Sequence, residues 1–115
     1  MNKGILLAIL FYTIAQTASW FISNTQFFWK WAYNHPLTIS IIASAPVTYL
    51  FILATRYSAD YFNGQVWPGR FIGFGLGMMS FSLLTYIILG ESMNVKTTIS
   101  LVLAATLLSI QIFWK

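Results

Sequence analysis

The charged side chains of this chain are spaced so that four long stretches carry no charge at all. They are Lys3, Lys30, Arg56, Asp60, Arg70, Glu91, Lys96 and Lys115. A charge at the bilayer centre costs at least about 2.5–3.5 kcal/mol, so ions are kept out of hydrocarbon. The uncharged stretches therefore predict membrane spans at residues 4–23, 37–55, 71–89 and 97–114. As helices of roughly 18–20 residues, each reaches about 30 Å, the thickness of the hydrocarbon core. Helices are required because lipid offers no partner to a free backbone N–H or C=O. A barrel would need short alternating strands, and residues 5–11 do not alternate. The expected fold is all-α, an integral membrane four-helix bundle in one domain.

Composition agrees: 58% of residues are hydrophobic and 7% charged, against about 25% charged in soluble domains. The net charge of +4 is scattered, so no basic stripe forms and nucleic acid is not an expected partner. Isolated cations beside apolar spans suit anionic lipid headgroups. Cysteine is absent, which excludes disulfides and thiolate metal sites. Lys3 and the apolar run behind it resemble a signal peptide. Gln16 at the −3 position makes a poor cleavage site, and the run continues through Ile22, so an uncleaved first span is expected.

The connections read as interfaces. Residues 24–36 place Phe27, Phe28, Trp29, Trp31 and Tyr33 around Lys30, with rings at headgroup depth and the lysine reaching water. A short interfacial helix fits there. Pro36 and Trp67-Pro68-Gly69 open the second and third spans, where a missing N–H costs little. Residues 56–70 are expected to form the longest loop, turning at Asn63-Gly64, and residues 90–96 a tight hairpin. Four cations (Lys3, Arg56, Arg70, Lys115) lie on the side of the termini and two (Lys30, Lys96) on the other, which predicts both termini in the cytoplasm of an inner-membrane protein.

Within the spans, Gly69, Gly73 and Gly77 recur at steps of four with Gly75 between. That face permits close backbone approach, for helix packing within the chain or at a dimer seam. Pro46 interrupts the hydrogen bonds of the second span. Gln16 is the strongly polar side chain deep in the first span, and an amide in hydrocarbon needs a partner. It is either an interhelical bond or a ligand contact, with Thr13, Thr17 and Trp20 as neighbours. Tyr49 and Tyr86 are candidates to line the same cavity. Other hydroxyls are expected to bond back to their own helices. No ionisable group falls inside a span, which argues against a buried proton relay. Asp60 and Glu91 fall on opposite sides of the membrane, and His35 is alone. No catalytic pair, metal cluster or cofactor site can be assembled, and an enzyme is not expected.

Gly75-Leu76-Gly77, Ser82-Leu83-Leu84-Thr85-Tyr86 and Leu89-Gly90-Glu91 together resemble the last two spans of the small multidrug resistance family. The organisation of the whole chain is similar to the four-helix branch of the drug/metabolite transporter superfamily. The resemblance implies four helices, a homodimer and transport of a small molecule. The family's coupled exporters carry a glutamate in the first helix, and the matching position here is Gln16. Near Gly73 the family has a cation-holding aromatic. Proton-coupled export of cations is therefore not implied, whereas movement of a small polar or neutral molecule is. The competing expectation is a non-transporting accessory or scaffold subunit with a dry interior.

Overall fold

The computed structural model describes residues 3–114; Lys115, one of the cations counted for orientation, lies outside them. The described residues are helical, with no strand. Helix α1 covers Lys3–Asn24 and continues through a 3-10 turn, Thr25–Phe27. A short α2, Lys30–Asn34, follows. The long α3 is Pro36–Tyr61. Next comes α4, Trp67–Leu84, extended by a π-helical turn, Thr85–Leu89. The last helix, α5, is Val95–Phe113. Four of these helices are long and apolar enough to cross a membrane.

Local chemistry sets the ends. Pro36 lies in the first turn of α3, and Pro68 in that of α4, positions that leave no hydrogen bond unmade. Between α3 and α4 the chain reverses at Asn63 and Gly64, both left-handed at φ 58° and 88°. Gly90, at φ 70°, ends the π turn. Asn94 caps α5, its side chain accepting from the Thr97 N–H at 2.8 Å, which satisfies one of the free donors of a helix start.

Two boundaries differ from those the charges predict. Helix α3 runs to Tyr61 and so carries Arg56 and Asp60, and α4 begins at Trp67 and carries Arg70. The expected loop over 56–70 shrinks to residues 62–66. At 26 residues, α3 is about 39 Å long, more than the roughly 30 Å of hydrocarbon. The excess of about 9 Å equals the rise of residues 56–61, which carry the charges. Pro46 sits within α3 without ending it.

The bundle is open. Helix α1 packs on α3 and α4, α4 packs on α1 and α5, and α3 touches α4 more lightly; α5 contacts neither α1 nor α3. The helices thus follow the lateral order α3, α1, α4, α5. The Cα envelope of 46 × 36 × 19 Å fits this. A square bundle at about 8–10 Å spacing would measure only about 15 Å across. Ile5, Ala8, Tyr12, Ala54 and Ile72 form the core. Large aliphatics such as Leu6, Leu10, Ile41, Ile42, Val102 and Leu103 are exposed, the arrangement a bilayer permits. Several exposed hydroxyls bond to their own helix: Ser100, Thr106 and Ser109 each donate to the carbonyl four residues back, whereas Ser44 and Thr48, either side of Pro46, make no such bond.

Glycines permit the close approach. A Cβ on Gly73 would lie 3.0 Å from the Tyr12 ring, and one on Gly77 2.7 Å from the Gln16 amide carbon. At Gly69 it would meet Ser58 Oγ at 2.6 Å. A Cβ on Gly75 would point the other way, 2.8 Å from Leu108 Cβ. Helix α4 therefore receives α1 and α3 on one side and α5 on the other. Gly75→Ala, whose Cβ would also meet the Ala104 carbonyl at 3.2 Å, is expected to destabilise the chain by about 1–3 kcal/mol through overpacking, whereas Ser109→Ala changes it by less than about 0.5 kcal/mol. Reversible denaturation in mixed micelles measures both. Equal stability of the two variants would contradict the packing described.

Candidate functional site

Tyr12, Gln16 and Trp20 recur at four-residue steps on α1, which brings them onto one helical face. Each uses its polar atom between helices. The Tyr12 hydroxyl shares a hydrogen bond with Thr55 Oγ1 of α3 at 3.3 Å. Gln16 Nε2 donates to the Gly73 carbonyl of α4 at 3.0 Å. Trp20 Nε1 donates to Thr85 Oγ1 at 2.9 Å. The first bond ties α1 to α3, and the other two tie it to α4 and its π turn. The Gly73 carbonyl can only accept, so the Gln16 amide is oriented with nitrogen toward it.

Along this face runs a groove made of three adjoining cavities. The first, of about 340 Å³, is lined by Tyr12, Thr55, Arg70, Phe51 and Phe74 and reaches Gln16. The second, of about 320 Å³, lies among Gln16, Phe74, Gly77, Met78 and Phe81. A third, of about 150 Å³, continues past Gln16 and Trp20 to Ser19, Ser23 and Asn24. All three share Gln16. From Tyr12 to Asn24 the groove follows α1 for about 18 Å, more than half the hydrocarbon thickness. Polar groups line it at both ends and at its centre, while the opposite face of α1 presents Leu6, Leu10 and Ile14. Ser58 Oγ, buried behind Gly69, has no hydrogen-bond partner.

Of the residues picked out by sequence, Gln16 and Trp20 border this groove. Trp20 is 3% exposed, so its indole serves more to hold α4 than to meet a ligand. Tyr49 and Tyr86 are not brought to it. Tyr49 is exposed on α3. Tyr86 lies in an apolar recess with Met79, Leu83, Met93 and Leu101. Gly69 and Gly73 line the first cavity and Gly77 the next two, whereas Gly75 lies against α5. Thr13, expected beside Gln16, bonds instead to the Ile9 carbonyl. Sequence alone does not single out Tyr12, Thr55 or Arg70. The signal for Tyr12 was its offset of four from Gln16; for Arg70 it was hidden by placing the residue outside the third span.

Compared with protein-family models, curated proteins and solved structures, the chain matches none.

Trp20 and Thr85 provide a quantitative check on the seam. A double-mutant cycle with Trp20→Phe and Thr85→Val is expected to give a coupling of about 0.6–1.7 kcal/mol, the range for interhelical hydrogen bonds in membranes. Additive effects in micellar unfolding would mean that the bond contributes nothing.

Proposed function

We propose that this chain is a small transporter-like protein of the cell (inner) membrane that moves a small polar or neutral molecule as a homodimer. The observation that carries the reading is the groove with Gln16 at its centre. Polar side chains facing lipid cost free energy unless they are paired, and the groove gathers several on one side of an otherwise aliphatic surface. Tyr12, Gln16 and Trp20 are paired between helices, but the side chains of Ser19, Ser23 and Arg70 on the same groove are not, and a water-lined path accounts for them. The groove is open along its length, so one chain cannot enclose a path. A second copy laid over the α1 face closes it. The Gly69, Gly73 and Gly77 face does not serve that purpose, because Tyr12, Ser58 and Gln16 fill it.

The resemblance to the small multidrug resistance family supports the same reading, as analogy rather than site chemistry. Gln16 carries no titratable proton, so buried-glutamate exchange is not the coupling. Its amide can instead orient a hydrogen-bonding solute. The charge count favours both termini in the cytoplasm. The accessory-subunit alternative predicts a dry interior, and the groove weighs against it.

Because the chain lacks cysteine, single cysteines test this directly. Gln16→Cys, Ser19→Cys and Ser23→Cys are expected to react with a membrane-impermeant maleimide in vesicles. Ile41→Cys and Val102→Cys, on lipid-facing surfaces, are expected to react far more slowly. Equal rates at positions 16 and 41 would refute an aqueous path. In proteoliposomes, solute-driven swelling with urea, glycerol and neutral amino acids should reveal a flux that Gln16→Leu removes.

A further inference from the structure

We infer that the Arg70 end of the groove holds an anionic head group, a carboxylate or a phosphate, with its apolar part laid along Phe51 and Phe74 toward Gln16. The inference rests on the groove described above and names the ligand chemistry of one end of it.

The donor and acceptor inventory of this end is one-sided. Arg70 offers up to five N–H donors and no acceptor. It borders the cavity together with the Tyr12 and Thr55 hydroxyls. Those hydroxyls share one bond of 3.3 Å between them, so one hydroxyl proton stays unspent. Backbone carbonyls of α1, α3 and α4 are taken up by their own helices, and that of Gly73 also receives Gln16. The amide Oε1 of Gln16 is an acceptor at the far end of the cavity, but no carboxylate borders it, and an anion supplies the guanidinium with several lone pairs.

The charges agree with that inventory. The chain has two carboxylates, Asp60 and Glu91. Glu91 follows the π turn at the opposite end of α4. Asp60 shares this end of α3 with Arg56, and neither carboxylate forms an ion pair with Arg70. Two guanidiniums thus stand against one carboxylate. Arg70 is exposed at the mouth of the cavity, where its guanidinium can bind carboxylate or phosphate through paired N–H groups. The aromatic walls and a volume of about 340 Å³ leave room for an apolar portion. The same chemistry is offered by a lipid phosphate lodged between helices and by a free organic anion.

Titration of the purified full-length protein, read by thermal unfolding, tests the inference. The probes are octyl phosphate, octyltrimethylammonium and octyl glucoside, which share a chain and differ in head charge, and phosphatidylglycerol against phosphatidylcholine in nanodiscs. Octyl phosphate or phosphatidylglycerol is expected to raise the melting temperature where the cationic and neutral probes do not. Arg70→Gln is expected to weaken that binding about tenfold or more, the loss for a charged hydrogen bond, and Arg70→Lys to retain part of it. If Arg70→Gln does not fold, Thr55→Val, which keeps the guanidinium, should lower affinity by a smaller factor without altering head-group preference. A response to octyl phosphate alone assigns the site to a solute, and one to phosphatidylglycerol alone assigns it to lipid. Equal shifts from the phosphate and the ammonium, or unchanged octyl phosphate binding in folded Arg70→Gln, overturn the inference. Failure of the transport reading is separate. Binding through Arg70 without maleimide access at position 16 keeps the anion site and removes the path, and access without head-group preference does the reverse.

Discussion

Hydrocarbon gives no hydrogen bonds, and the structure is organised by where its polar groups find them. Backbone groups find them inside helices. Several exposed hydroxyls find them one turn back on their own helix, as Ser100, Thr106 and Ser109 do. Side chains too large or too polar for that device must reach another helix. Tyr12, Gln16 and Trp20 are of this kind, and their partners Thr55, Gly73 and Thr85 define which helices α1 lies against. There is no hydrophobic drive between helices in lipid, so such bonds, together with glycine-permitted contact, select the arrangement. They also explain why the polar side chains of α1 share one face: the residues that hold the helices together are those that line the space between them.

Much of this was legible in the residues before any coordinates. Charges mark the four apolar stretches, Asn63-Gly64 marks a reversal, and the stretch 24–36 implies a short helix, where α2 lies. The errors have a common cause. A charge limits an apolar stretch without ending a helix, so charge spacing puts Arg56, Asp60 and Arg70 in a loop, whereas they ride on the end turns of α3 and α4. Tyr49 and Tyr86 illustrate a second limit. In a soluble helix an apolar stripe reveals the inward face. These spans are apolar all round, so the rotation of each helix about its axis is set by contacts that periodicity does not carry. Gln16 was readable because its polarity demanded a partner; Tyr49 made no such demand.

The open order α3, α1, α4, α5 has a bearing on assembly. Helices α1 and α4 are flanked on both sides and between them hold most of the buried residues, whereas α5 leans on α4 alone. A protein of this shape presents broad faces to its surroundings rather than a sealed interior. Its polar groove lies on one of those faces, which is why a functional reading turns on what covers that face and not on an internal cavity.

The π turn at Thr85–Leu89 also governs phase. A π turn accommodates one more residue than the α turn it replaces, and each residue of an α-helix advances the direction by about 100°. Everything after Leu84 is therefore out of step with the glycine-bearing part of α4 by roughly that angle. The offset lets Thr85 look back at Trp20 while Tyr86 and the hairpin beyond turn outward. Shortening this stretch by one residue would restore ordinary winding and swing the outer hairpin, with α5 behind it, around the helix axis. The length of the chain between Thr85 and Gly90 is thus under tighter geometric control than its side chains are.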